Sequence, residues 1–166
     1  MMERAKGELA NDDATIAILL SAMAVEGEMS YLFFKWKGID SGKLPVAKED
    51  KSKWEGEWAD MRSISKRLEE LARLLTDAGF DEFALQNKSL LKPALERFDP
   101  ATSIKLFLQE QFFEKRNRIA HYGEIDLEKS DGEQCFSTAL SLINLLHAMD
   151  KKRVEALDKQ HKKARQ

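Results

Sequence analysis

A run of apolar residues between Trp54 and Leu75 constrains the fold more than any other feature of this sequence. The steps from one apolar residue to the next are 4, 3, 3, 4, 3 and 4, so all of them lie on one face of an α-helix. This spacing predicts one helix from about Glu49 to Ala78, ended by Gly79. The apolar positions are Trp54, Trp58, Met61, Ile64, Leu68, Leu71 and Leu75.

Helical spacing also dominates the N-terminal half of the chain. Only three prolines and eight glycines interrupt the 166 residues, and so few helix breakers predict long helices rather than many short strands. We expect a first helix from about Asp12 to Trp36, apolar on more than one side, with Asp12, Asp13 or Thr15 as its cap. A loop from Gly38 to Ala47 should follow this helix. A short helical or irregular segment is expected from Asp81 to Leu91.

The third long helix has recognisable ends. Asp99 as the cap and Pro100 in the first turn predict its start, and it should end near Tyr122 with Gly123 as the stop. One face of this helix is apolar and is expected to be buried. That face consists of Ile104, Phe107, Leu108, Phe112 and Ile119.

The last helix follows a polar loop from Glu124 to Lys129. Ser130 and Glu133 have the spacing of a capping box and predict its start, and its charged end, about 151–166, is expected to project or fray. Together these patterns predict an all-α fold, a four-to-five-helix up-and-down bundle that forms a single domain over residues 1–166. The residues of the last helix expected to point inward are Phe136, Leu140, Ile143, Leu146 and Met149.

Charge and cysteine content narrow the function classes. The formal net charge is −2 and the sequence pI is about 6.0, so no global basic field attracts nucleic acid or anionic lipid and any RNA contact must be local. Cys135 is the only cysteine, which excludes an internal disulfide and disfavours a cysteine-based metal site. No spacing of His, Cys and carboxylate residues predicts a metal, and no cofactor is expected.

The N-terminal residues 1–10 are charged and lack the apolar stretch of a secretory signal. The most apolar run, Ala14 to Val25, is short for a bilayer span and soon meets Glu26 and Glu28. We therefore expect a cytoplasmic protein that is not inserted in a membrane.

The segment with the most residues suited to catalysis or binding is Arg116–His121, at the predicted end of the third helix. On a helix Asn117 and His121 are about 40° apart, whereas Arg116 and His121 are about 140° apart. Histidine transfers protons near neutral pH, and the planar fork of arginine matches two phosphate oxygens. These residue types suit RNA cleavage by an adjacent 2′-hydroxyl without a metal, and Lys115 and Arg118 add positive charge. The alternative is structural, since such side chains at a helix end also bind the last carbonyls and favour the helix dipole.

The segment Arg116–Gly123 resembles the signature of the HEPN superfamily. Its Arg-Asn pair is followed, after three further residues, by His121 and then by Tyr-Gly. HEPN proteins are small helical domains that carry an Arg, often followed by Asn, and then a His near the end of a late helix. The similarity in pattern covers about Pro100 to Arg153, and before Pro100 it extends only to helical architecture.

This resemblance implies a metal-independent endoribonuclease, often a toxin or a component of antiviral defence, that leaves a 2′,3′-cyclic phosphate. HEPN protomers usually pair as homodimers so that both motifs face one cleft, and Arg116 of one chain then serves His121 of the other. His121 is expected to act as base or acid, Arg116 to stabilise the transition state, and Asn117 to position the substrate or His121. An antitoxin, of nucleotidyltransferase or other type, is the partner that such toxins imply.

One tyrosine departs from a toxin branch of the family. That branch carries a Tyr two residues after the His, which a partner nucleotidyltransferase modifies. Here Tyr122 follows His121 directly and Gly123 occupies the later position, so this regulation does not carry over. Tyr122 either packs or contacts the substrate, and the other residues expected to contact the substrate are Lys115, Arg118 and Glu26.

Several other residues have two interpretations. Glu26 either faces the cleft and orients Arg116 or lies on a solvated stripe. Trp54 and Trp58 suit stacking on bases, but their spacing favours core or dimer packing. His147 is interpreted as a structural histidine among apolar neighbours, and His161 as solvated.

Two alternative functions remain beside the nuclease. One is a non-catalytic helical HEPN module that binds RNA, a nucleotide or a protein partner. The other is a purely structural interaction protein.

Overall fold

The computed structural model describes residues 1–42, 45–92, 94, 102–123 and 127–163, and in these ranges the chain is helical with no strand. The all-α prediction is therefore confirmed for the described residues. A 3₁₀ turn, Lys88–Leu91, follows α5, and a π-helical turn, Gln109–Phe113, joins α6 to α7. The α-helices are α1 (Met2–Ala10), α2 (Ala14–Asp40), α3 (Lys48–Asp60), α4 (Ile64–Thr76), α5 (Phe80–Gln86), α6 (Ile104–Leu108), α7 (Glu114–Tyr122) and α8 (Lys129–Lys163).

The central pair of the fold is α2 with α8. The two helices run in the same direction, because Ala14 lies against Gly132 at one end and Asp40 bonds Arg153 at the other. Helices α1, α4 and α7 also contact α2, so α2 is covered on more than one side, as its apolar pattern predicts. The largest fully buried side chains include Trp36, Phe33, Phe80, Phe112 and Phe113.

Helix α2 begins where one of the three candidate caps predicts. The Asp13 side chain accepts a hydrogen bond of 2.9 Å from the Ile16 N–H, which satisfies one of the free donors of the first turn. The helix continues to Asp40, so the expected loop start at Gly38 is wrong. Gly38 is buried inside the helix, where it faces Val46.

A carboxylate of α8 fixes the C-terminal half of α2. Asp150 Oδ1 accepts hydrogen bonds of 2.6 Å from Trp36 Nε1 and 2.7 Å from Lys35 Nζ. Trp36 itself is only 1% exposed. We call this arrangement of Lys35, Trp36 and Asp150 the Asp150 clamp, and it joins residues that are 114 positions apart in the chain.

Helix α2 is also long and apolar enough to cross a membrane by length and composition. It has 27 residues, with an 18-residue window of mean hydropathy 1.5. The expectation that this region is too short considered only Ala14 to Val25, whereas the helix continues past Glu26. Within that window 44% of the residues are buried inside the protein, and a core helix of a soluble protein passes the same test.

The expected single helix from Glu49 to Ala78 is broken in two. Met61 leaves helical geometry with φ −77° and ψ 72°, and Ser63 caps α4 by accepting a 3.2 Å hydrogen bond from the Lys66 N–H. The apolar spacing does not reveal the break, because Trp58 and Ile64 on either side of it both pack against the core. The predicted stop at Gly79 is also wrong, since α4 ends at Thr76 and the next residue, Asp77, adopts the left-handed region (φ 58°).

The N-terminal residues form a helix that the sequence analysis did not predict. Ala5 and Leu9 of α1 are buried, and α1 packs on both α2 and α8. Met2, Ala5 and Leu9 have steps of 3 and 4, a helical signal that is masked by the many charges between them.

The start of the third predicted helix differs from expectation. Asp99 and Pro100 lie outside the described residues, but Ser103 is extended with φ −63° and ψ 132°, so the helix begins at Ile104. Asp81 of α5 provides a cap in place of Asp99, because its Oδ1 accepts a 2.9 Å bond from the Lys105 N–H. The apolar face predicted for this helix is confirmed as buried.

Helix α8 begins one residue earlier than predicted, at Lys129. Asp131 rather than Glu133 closes its first turn, since the Glu128 N–H donates to Asp131 Oδ2 at 3.3 Å. Leu146 and Met149 are buried as expected, whereas Leu140 is 45% exposed.

Candidate functional site

Helix α7 carries Arg116, Asn117 and His121, and we call it the motif helix. One buried side chain and a terminal glycine position it. Ile119 is the buried residue of α7, and Gly123 ends the helix in the left-handed region with φ 65° and ψ 32°. The Gly123 N–H donates to the Ile119 carbonyl at 3.1 Å. The predicted end at Tyr122 with Gly123 as the stop is therefore confirmed. Glycine, which has no Cβ, adopts this geometry at the lowest cost.

A π-helical turn precedes the motif. The Glu114 N–H bonds the Gln109 carbonyl across this wider turn, and the rings of Phe112 and Phe113 form an edge-to-face pair with centroids 4.7 Å apart. Turns of this type are frequent at functional sites. Because Arg116 and His121 both follow the turn, regular α-helical spacing still separates them by about 140°.

Arg116 points toward α2 rather than toward His121. Its Nη2 lies 3.4 Å from Glu26 Oε2, and its Nη1 donates a 2.8 Å hydrogen bond to Asn117 Oδ1. Both members of the Arg116–Glu26 pair keep about a quarter of their side-chain surface exposed, 28% and 27%. Of the two interpretations of Glu26, the geometry thus agrees with the one in which it orients Arg116.

Arg116, Asn117 and Glu26 share a cleft of about 350 Å³. Two further arginines line it, Arg62 from the link between α3 and α4 and Arg67 from α4. We call this opening the arginine cleft. Its charged lining consists of three guanidinium groups and two carboxylates, Glu26 and Glu114, so the cleft is locally positive and suits an anionic ligand.

His121 lies outside the arginine cleft. It is exposed on the last turn of α7, and Tyr122 beside it is 84% exposed. Among the described residues, no hydrogen bond or ion pair to the His121 side chain is found. A single chain therefore does not bring Arg116 and His121 to one opening, as their angular separation on the helix predicts.

Lys115 faces α8 instead of the arginine cleft. Its Nζ lies 2.5 Å from Asp131 Oδ1, and the Lys115 side chain is 15% exposed. This hydrogen bond, and with it the nearby charges of Lys115 and Arg118, lowers the pKa of Asp131. The described geometry thus gives Lys115 a structural contact, and Arg118 is exposed nearby.

The Lys115–Asp131 pair predicts a pH effect on stability. Because the pKa of folded Asp131 lies below its ordinary value of 3.8, the carboxylate form stabilises the fold above that value, and this contribution is lost as the pH falls through the folded pKa. Replacing Lys115 with methionine is expected to lower the free energy of unfolding by about 1 kcal/mol or less at pH 7, and by a smaller amount near pH 2.

Thermal denaturation of wild type and variant from pH 7 to pH 2 measures this difference. Lys151→Met is the matched control, because Lys151 is exposed on α8 and its side chain is in no described ion pair. A Lys115→Met deficit that stays constant across this pH range contradicts the assignment to Asp131.

The sequence analysis did not single out Arg62, Arg67 or Gln109. A local sequence signal exists only for Arg62. Ser63 is the N-cap of α4, so Arg62 lies directly before the start of a helix. The lining role of Arg67 and Gln109 depends on how α4 packs near the π-helical turn, which periodicity does not reveal.

The remaining histidines lie apart from this site. The side chain of His147 is 58% exposed and its Nε2 lies 3.1 Å from Glu28 Oε1. This differs from the expectation that His147 is enclosed among apolar neighbours. His161 is exposed, as expected. Within the described ranges, no three His, Cys, Asp and Glu side chains are grouped so that they can hold a metal ion.

Comparisons of the chain with protein-family models, with curated proteins and with solved structures found no match.

Proposed function

We propose that this protein is a metal-independent endoribonuclease of HEPN type that acts as a homodimer in the cytoplasm, as a toxin or defence component. The observation that carries the proposal is the motif helix itself. It holds Arg116 beside Glu26 in a positively charged cleft and presents His121 to solvent on its last turn. A cation for a phosphate and a group able to move protons thus come from one short helix.

In the proposed reaction the 2′-oxygen of a nucleotide attacks the adjacent phosphorus. His121 accepts the 2′-hydroxyl proton while water protonates the departing 5′-oxygen, or His121 donates the proton to the 5′-oxygen while water accepts the 2′-hydroxyl proton. Arg116 stabilises the negative charge that grows on the non-bridging oxygens, and Asn117 keeps the guanidinium in place through its Oδ1. The P–O5′ bond breaks, and the products carry a 2′,3′-cyclic phosphate and a 5′-hydroxyl.

The proposal requires a second copy of the chain, since Arg116 and His121 do not converge within one. Each helix of the central pair leaves at least one large apolar side chain exposed, and we propose that a second copy of the chain covers them. Met23 of α2 is 49% exposed and Leu140 of α8 is 45% exposed. Helices α2 and α8, the two longest described helices, run in the same direction, and we propose that they belong to a HEPN-like four-to-five-helix up-and-down bundle to which α1 is added.

The test is cleavage of single-stranded RNA by purified wild type in EDTA. We expect cutting without added metal and a 2′,3′-cyclic phosphate on the upstream product. A matched RNA with one 2′-deoxynucleotide at the preferred position should not be cut there, because the attacking oxygen is missing. Cutting of that substrate at the same bond contradicts the mechanism.

A non-catalytic binding module is the second candidate, and one observation favours it. In a single chain the arginine cleft contains Arg116 but not His121, which suits binding of an anion without proton transfer. RNA that is bound in the assay but never cut supports this module. A protein that neither binds nor cuts RNA supports a structural role.

A further inference from the structure

We propose that Arg62 and Arg67 bind a phosphate of the RNA strand next to the phosphate held by Arg116. This inference rests on the proposed function and deepens it, because it assigns the strand a path from α7 to the start of α4. The three arginines line one cleft of about 350 Å³, near the lower limit of roughly 300–1000 Å³ for ligand sites. An opening of this size admits part of a single strand rather than a folded RNA.

Arg62 has donors to offer a ligand. It is exposed on the non-helical link between α3 and α4, and across the described part of the chain its guanidinium has neither an ion pair nor a hydrogen-bond acceptor. Arg116, in contrast, is already paired with Glu26. Arg62 therefore adds a cation whose charge no described carboxylate neutralises.

Arg67 is held in place by two contacts. Its Nε donates a 2.9 Å hydrogen bond to the Met61 carbonyl, and its guanidinium stacks on the Trp58 ring, 4.7 Å from the centroid. These contacts occupy Nε and one face of the group, while its two Nη atoms have no acceptor among the described residues. A guanidinium fixed in this way loses little side-chain entropy when it binds a phosphate.

The start of α4 adds to the positive potential of the same wall. Ser63 and Ile64 line the arginine cleft, and they form the N-terminus of a 13-residue helix. The free N–H groups and the dipole at such an end favour an anion. The wall of the cleft also contains Gln109, whose amide can bond a phosphate or a base edge.

The local positive charge of the arginine cleft is the reason that an RNA strand is expected to bind at this surface. The whole chain has a formal net charge of −2, so RNA is not attracted to the protein in general. The arginine cleft is an exception, with more guanidinium groups than carboxylates. Phosphates bound there fix the strand, and contact with two of them distinguishes a strand from a single small anion.

Binding of a 2′-fluoro RNA oligonucleotide tests the inference without cleavage, because this RNA lacks the attacking hydroxyl. Fluorescence anisotropy gives its Kd over a range of salt concentrations. We expect Arg62→Ala to weaken binding about tenfold and to reduce the salt slope by about 0.7, the value for one lost phosphate contact on a single strand. Arg62→Lys should recover part of the affinity, since it keeps the charge without the planar fork.

Arg73→Ala is the matched control. Like Arg62→Ala, this variant removes one positive charge, here from α4. The Arg73 side chain is 69% exposed and pairs with Glu69, away from the arginine cleft. We expect its affinity and salt slope to equal those of wild type. An unchanged melting temperature of Arg62→Ala shows that the exposed link tolerates the change.

The outcomes separate this inference from the proposed function. If Arg62→Ala binds the oligonucleotide as wild type does, the inference is overturned, while cleavage of ordinary RNA still supports the nuclease. If wild type never cuts RNA but Arg62→Ala loses affinity, the phosphate subsite stands and the nuclease does not. Inorganic phosphate is added at the concentration of phosphate groups that the oligonucleotide supplies. If it displaces the oligonucleotide, the assignment of the cleft to a strand is overturned.

Discussion

Replacing His121 with alanine is expected to lower the rate of RNA cleavage by about 10²–10⁴-fold, the usual contribution of a general acid or base. The fold should be preserved, because His121 is exposed and bonds no other described residue. We expect the free energy of unfolding to change by less than about 0.5 kcal/mol. Initial rates of wild type and variant on the same single-stranded RNA in EDTA measure the effect.

His161→Ala is the control for this experiment, since it removes an exposed imidazole at the far end of α8. It should cut RNA at the wild-type rate. Unchanged cutting by His121→Ala would falsify the assignment and indicate another site. Growth arrest on expression offers an independent readout, because only active protein is expected to be toxic.

Mixing two inactive variants tests whether the site is shared between protomers. Arg116→Ala and His121→Ala are each expected to be inactive as homodimers. If Arg116 of one chain serves His121 of the other, a mixed dimer has one intact site of two, and an equal mixture should regain roughly a quarter of wild-type activity. If both residues act within one chain, every site in the mixture lacks a group and no activity returns.

Replacing Trp36 with alanine is expected to lower the free energy of unfolding by about 3–5 kcal/mol, as for other large buried aromatic residues. Trp36 is 1% exposed in the core, and its loss removes both the packing of a large ring and the 2.6 Å hydrogen bond to Asp150. Since typical domains have a stability of about 5–15 kcal/mol, this one change threatens the whole fold. Urea denaturation followed by circular dichroism measures the difference.

Two matched variants separate packing from hydrogen bonding in the Asp150 clamp. Trp36→Phe keeps an aromatic ring but loses the N–H donor, and we expect a cost of about 1.5–3 kcal/mol because the bond is to a charged group. Tyr31→Ala removes an aromatic residue from the same helix at a position that is 59% exposed, and its cost should stay below about 1 kcal/mol. Equal costs for Trp36→Ala and Tyr31→Ala would contradict the described burial.

Helix ends that depend on a few neighbouring residues were predictable from the sequence. Asp13 caps α2 and Gly123 ends α7 because each acts on atoms within one turn of its own position. The break at residues 61–63 was missed since the apolar face remains in phase across it. Asp77 was missed as a stop because the conformation it adopts favours glycine, and Gly79 stands two residues later.

The sequence predicts the motif residues of the candidate site but not the residues that tertiary packing brings to them. Arg116, Asn117 and His121 are close in the chain, so their types and spacing indicate a chemistry. The pairing of Arg116 with Glu26 joins residues 90 positions apart, and the approach of Arg62 to the same cleft depends on how α4 packs. Such contacts are set by tertiary packing, which local spacing does not encode.

The Asp150 clamp also has a consequence for synthesis on the ribosome. Trp36 leaves the exit tunnel long before its partner on α8 exists, because the two residues are 114 positions apart. At about 5–20 residues per second, synthesis of the 114 residues from Trp36 to Asp150 takes roughly 6–23 s. During this time the apolar surface of α2 that α8 later covers is not yet buried, so we expect the nascent chain to aggregate most readily before α8 has been made.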